Sequence, residues 1–187
     1  MGTIYDVGQE LGSSDCGYFA GMALQRLHKL AGWNRFDRAT VYAAREEFTG
    51  HANKSSRSYE KRSNLYLHPK MAPSYLTFLG IDHYERSPDK ARTPSQVESL
   101  IARGLADGRK GVMVAIGSGM SGHWVMVFPV HGNRHRSHWN IYDPADMLGG
   151  KTTTVSCLSR GAVSSWIADS VFNSIVQSAV GASLRPN

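Results

Sequence analysis

The stretch "SSDCGYFAGMALQRL", residues 13–27, places a cysteine at the head of an apolar run. Phe19, Ala20, Ala23, Leu24 and Leu27 recur at helical spacing and continue to Ala31, which predicts a buried helix from Asp15 onward with Asp15 or Ser14 as its N-cap. Gly17 and Gly21 each cost about 1 kcal/mol in a helix, so their presence predicts that another backbone passes close by. A cysteine needed only for packing could sit anywhere along this helix. At the first turn, the thiolate of Cys16 gains the free N–H groups and the positive end of the helix dipole.

Working outward, a second helix is predicted over residues 38–48 and a shorter one over 72–79, ending before Gly80. Thr93-Pro94, with Glu98 downstream, opens a further helix to Leu105 whose stripe is Val97, Leu100, Ile101 and Leu105. The period then changes. "GVMVAIG" (111–117) and "HWVMVFPV" (123–130) read as strands buried on both faces, "HWNIYD" (138–143) continues the sheet, and "TTTVSCL" (152–158) supplies a fourth strand. Residues 162–180 read as a terminal helix with Trp166, Ile167, Val171, Ile175 and Ala179 inward, followed by a loose tail at 181–187. Helices first and an antiparallel sheet after them define an α+β fold.

The 187 residues suit one domain, 1–187, and the 41% hydrophobic and 19% charged composition is that of a folded globule. The longest apolar runs fall far short of the roughly 20 residues of a membrane span. The start "MGTIYDVGQELG" lacks the basic and apolar parts of a secretory signal, and Asp6 stands where an acylation motif wants Ser or Thr. Two cysteines in a domain of this size read as reduced, intracellular thiols. The net charge is +6, and much of the excess lies in residues 51–64, where Lys54, Arg57, Lys61 and Arg62 face one acid, Glu60. That composition is expected of a solvated surface loop rather than a nucleic-acid site. There is no internal repeat and no phosphate-cradling glycine loop.

A thiol nucleophile needs a base, and "SGMSGHW" delivers His123 from a glycine-flanked loop onto the first residue of a buried strand. A hairpin turn centred near Asn133 sets His123 opposite Asp143, and a turn one residue later leaves them within two positions. Asp143 precedes Pro144, which ends the strand. Cys16, His123 and Asp143 are then the nucleophile, base and orienter of a thiol acyl-transfer site. The Cys16 backbone N–H and the Gln9 side chain are the candidate donors to an oxyanion. His131, His135 and His138 cluster in "HGNRHRSH" without a paired cysteine motif, so a turn is expected there rather than zinc. Neither metal nor organic cofactor is expected. Cys157 reads as a core position, and Trp124 and Trp139 as either core or the wall of a substrate groove.

"QELGSSDCGYFAGMAL", "GHWVMVFPV" and "IYDP" together resemble the papain-like cysteine peptidases, most closely the bacteriocin-processing C39 branch and related bacterial toxin domains. The resemblance covers residues 9–27 and 94–145. It implies a helical half carrying the nucleophile Cys16, packed on an antiparallel sheet carrying the base His123 and its partner Asp143, with Gln9 as oxyanion donor. In that group the glutamine usually lies six residues before the cysteine, whereas Gln9 lies seven before Cys16. The resemblance further implies a protein substrate cut after small residues such as Gly-Gly. It also implies an effector or toxin made in the cytoplasm, delivered into the cytosol of a target cell and matched by a cognate immunity protein. The same triad suits a glutamine deamidase or transglutaminase-like toxin, and a degenerate site would leave a binding module that uses its basic loop on nucleic acid.

Overall fold

The computed structural model describes residues 7–28, 36–52, 66–81, 83–86, 111–116, 123–129, 138–145, 158–159 and 176–182. Helix α1 spans Cys16–His28, α2 Arg38–Ala52 and α3 Ala72–Phe78, the last entered through a 3-10 turn at Pro69–Met71. Helix α2 begins where Asp37 caps it: its Oδ1 accepts the Thr40 N–H at 2.7 Å and its carbonyl the Val41 N–H at 3.1 Å. Helix α3 stops at Gly80 as the sequence predicts, with Gly80 N donating to Thr77 O and Ile81 N to Leu76 O, both at 2.9 Å. No helix among the described residues is long and apolar enough to cross a membrane.

The strands are β1 (His83–Arg86), β2 (Gly111–Ile116), β3 (His123–Pro129), β4 (His138–Tyr142), β5 (Leu158–Ser159) and β6 (Val176–Ala182). They form one sheet in the order β1-β6-β2-β3-β4-β5, with every neighbour antiparallel. Met113, Ala115, Trp124, Met126, Phe128 and Tyr142 join the core shared with the helices. Val112, Val114, Val125, Val127 and Ile141 alternate with them and are equally buried. Both faces of the central strands are therefore covered, which is why their sequences run apolar without alternation.

Helix α1 packs against β3 and β2 on one side and against α2 and α3 on the other. Tyr18 is its anchor, with ring centroids 5.2 Å from Tyr75 and 6.5 Å from Phe48. Each such side chain contributes roughly 1.5–3 kcal/mol on burial. The Tyr75 hydroxyl donates to the Tyr18 carbonyl at 3.3 Å, so the polar end of this cluster is satisfied as well.

Several expectations change. Residues 176–180 are not the end of a helix: they belong to β6, between β1 and β2, and Gly181 and Ala182 of the expected tail pair with Tyr84 and His83. The segment "VQSAVGA" has apolar residues on one strand parity (Val176, Val180, Ala182), interrupted by Ser178, as well as Val176, Ala179 and Val180 at helical spacing, and long-range pairing with β2 decides between them. Strand β1, four residues with the charges Glu85 and Arg86, was not expected at all. Helix α2 runs to Ala52, so His51 and Ala52 of the expected loop are helical. The close approaches at Gly17 and Gly21 come from side chains rather than backbone: a Cβ would lie 2.6 Å from Leu67 Cβ at Gly17 and 2.7 Å from the Tyr75 ring at Gly21. Strand β5 overlaps the expected fourth strand at Leu158. The helix expected at 93–105, residues 152–157 with Cys157, His131, His135 and the remainder of the basic loop lie outside the described residues.

Candidate active site

Asp15 occupies the N-cap position of α1, its carbonyl accepting the Tyr18 N–H at 2.9 Å and the Phe19 N–H at 3.2 Å. Cys16 is therefore the first helical residue, and it is buried. What brings it to the sheet is the residue after it. With no Cβ, Gly17 lets the first turn close onto Leu67 and onto the Trp124 ring, which a Cβ would meet at 2.8 Å. The Trp124 backbone N–H then donates to Cys16 Sγ at 3.3 Å, and the Trp124 indole donates to the Leu67 carbonyl at 2.8 Å. Trp124 is thus a core residue that fixes the position of the Cys16 thiol; Trp139 lies on β4, and its side chain is outside the described residues.

His123 stands at the start of β3, immediately before Trp124. Its Nε2 lies 2.8 Å from Asp143 Oδ1, and its side chain also interacts with Cys16, which leaves Nδ1 as the ring nitrogen available to the thiol. The β3–β4 register, Met126 opposite Tyr142, sets Asp143 two positions from the direct partner of His123 and on the same face. This is the register expected for a turn centred one residue past Asn133. Asp143 Oδ1 also accepts the Ala145 N–H at 3.0 Å, a local turn around Pro144 that aims the carboxylate back at the imidazole. Burial pulls the His123 pKa down, but the hydrogen bonds to Asp143 and Cys16 and the negative charges of both outweigh it. The result is a rise from 6.5 to about 10. The site therefore favours the protonated form of His123.

Gln9 is held beside Pro144 by a different set of bonds. The Tyr142 hydroxyl donates to the Val7 carbonyl at 2.7 Å, Arg38 Nε to the Gly8 carbonyl at 2.8 Å, and Gln9 N to the Pro144 carbonyl at 2.9 Å. These bonds fasten residues 7–9 beside the end of β4. A turn closed by Ser13 N on the Glu10 carbonyl at 3.0 Å, with Gly12 at φ +80°, lies between Gln9 and Cys16. The Gln9 Nε2 donates to the Ser13 carbonyl at 2.7 Å, so its amide lies against the loop that enters α1.

Sequence reasoning missed Arg45, whose Nη1 lies 2.9 Å from Asp15 Oδ1. Asp15 read as a simple cap, and a partner on another helix leaves no local signal. It also missed Leu67, the residue that packs on Gly17 and accepts from Trp124. Among the described residues no three His, Cys, Asp or Glu side chains are grouped to hold a metal ion.

An α+β fold that joins a buried Cys16, His123 and Asp143 defines the class of architecture. At that level it is similar to a solved structure, the avirulence protein AvrPphB of Pseudomonas, with a TM-score of 0.53, 14% identity and 88% of each chain covered. At that identity the likeness shows fold alone. It does not single out the C39 branch. No protein-family profile matches the sequence, and no curated protein matches it.

Proposed function

We propose that this protein is a papain-like cysteine peptidase acting as a bacterial effector. The observation that carries the reading is the single hydrogen-bonded line from Cys16 through His123 to Asp143, buried at the junction of a helix start and two strands. Cys16 Sγ attacks the carbonyl carbon of a substrate amide, and the carbonyl oxygen becomes an oxyanion facing the Cys16 N–H and the Gln9 amide. His123 gives its Nδ1 proton to the departing amine as the C–N bond breaks, which leaves a thioester on Cys16. Water then gives a proton to His123 and adds to the thioester, so that the acid and the free thiol are released. Asp143 holds the imidazole in orientation.

The similar fold of an avirulence protein supports the effector role, and delivery into a target cell is part of that proposal. Cleavage after small residues such as Gly-Gly is the finer expectation of the C39 resemblance, as is a cognate immunity protein in the producer. The test compares wild type and Cys16→Ala in cytosolic extract, read by mass spectrometry for new protein N-termini and for Gln-to-Glu conversion. Cys16-dependent termini support the peptidase, and the residues before each cut define its pocket. Converted glutamines without cuts would make it a deamidase, in which the departing amine is ammonia. Neither product would count against an active triad.

A further inference from the structure

Asp15 adjoins the nucleophile in sequence and is only 4% exposed, yet a negative charge here opposes the thiolate that the helix N-terminus and His123 favour. Burial holds its carboxyl above the usual 3.8, Arg45 pulls the other way, and Glu10 adds to the rise. Arg45 reaches across from α2 with Nη1 2.9 Å from Oδ1, and its guanidinium sits 5.8 Å over the Tyr18 ring, one turn into α1. The cation is therefore held on two sides at the start of the catalytic helix.

We propose that Arg45 is a positioning residue of the active site: by neutralising Asp15 it lets Asp15 tie α1 to α2 without charging the surroundings of Cys16 against its thiolate. The inference rests on the peptidase reading. The charged groups around the start of α1 are Asp15 at the N-cap, Arg45 and Arg38 on α2 and Glu10 on the preceding loop, with His123 on β3 and Asp143 after β4 on the sheet side. Asp15 and Arg45 together contribute no net charge. Removal of either partner leaves one, with opposite signs for the two removals.

The experiment follows the rate of Cys16 alkylation by iodoacetamide against pH in the full chain, with mass spectrometry to separate Cys16 from Cys157. Arg45→Gln is expected to slow alkylation about tenfold near pH 6, equivalent to an upward move of the profile by about one pH unit. Arg45→Lys restores most of the rate. Asp15→Asn, which keeps a capping side chain, accelerates alkylation at the same pH, and the double variant Asp15→Asn/Arg45→Gln returns to within about threefold of wild type. A merely structural pair gives losses of the same sign for both single variants, and that result, or no movement in either, overturns the proposal. If Arg45→Gln does not fold, Asp15→Asn alone decides: acceleration supports compensation, slowing refutes it. If wild-type Cys16 itself reacts only as an ordinary thiol, with half-maximal rate near pH 8.5, the peptidase reading fails first.

Discussion

His123 Nε2 and Asp143 Oδ1 meet at 2.8 Å with side chains 5% and 0% exposed, from residues 20 positions apart that the β3–β4 hairpin folds onto one face. A pair so enclosed is costly to leave half-made, because removal of one member strands the other in a medium of low dielectric. The relationship ties the chemistry of the site to the stability of the fold.

That link has a definite sign. In the unfolded chain His123 titrates near 6.5, and in the folded protein near 10, so between those values the native state holds the extra proton. The contribution to stability is fully present below about pH 6.5 and is lost as the pH rises through about 10. Denaturant unfolding of wild type and His123→Gln at a series of pH values should give a stability difference that is level in acid and declines across that window. A difference that grows with pH would rule out the protonated imidazole.

Loss of the orienting carboxylate should act on chemistry more than on binding. Asp143→Ala removes the acceptor for both His123 and the Ala145 N–H and frees the ring to rotate away from Cys16. Turnover on a cleavable protein is expected to fall by about 10²–10⁴, with KM much less affected. An unchanged kcat would remove Asp143 from the triad.

Gly17 and Gly50 form a matched contrast in helix substitution. Alanine at Gly50, an exposed position in α2 where an added Cβ meets nothing within 4 Å, should stabilise by up to about 1 kcal/mol through helix propensity. At Gly17 the same gain is set against contacts of 2.6 Å to Leu67 Cβ and 2.8 Å to the Trp124 ring, and the former is too near the backbone to yield easily. Overpacking of this kind costs about 1–3 kcal/mol, so Gly17→Ala should lower the melting temperature and slow Cys16 alkylation while Gly50→Ala raises the one and leaves the other alone. Thermal melts and alkylation rates on the two variants provide the check.

The parts of the fold that were legible are those whose signal is local. Residues 16–28 announce a helix by their spacing, and the apolar runs at 111–116 and 123–129 announce strands that no solvent-facing alternation interrupts. The hairpin arithmetic placed Asp143 near His123 because a short connection leaves few registers. What stayed hidden depends on distant partners. "VQSAVGA" fits either period, and its place between β1 and β2 is set by main-chain bonds to strands far away in sequence. Likewise the glycines at 17 and 21 signalled a close neighbour without revealing that it would be Leu67, Trp124 and Tyr75 side chains.

Gln9 permits a separation of nucleophile from oxyanion stabilisation. Its side-chain nitrogen carries two hydrogens, and Ser13 O takes one at 2.7 Å. The second is the donor that the proposed oxyanion role would use. Truncation in Gln9→Ala leaves the Cys16–His123–Asp143 line untouched, so iodoacetamide, whose displacement reaction builds no oxyanion, should alkylate Cys16 at close to the wild-type rate. Amide cleavage, which does build one, should lose about 10²–10³ in kcat. Equal losses in both reactions would mean that Gln9 serves only to hold the loop through Ser13. No loss in cleavage would transfer the oxyanion role to the helix N-terminus alone.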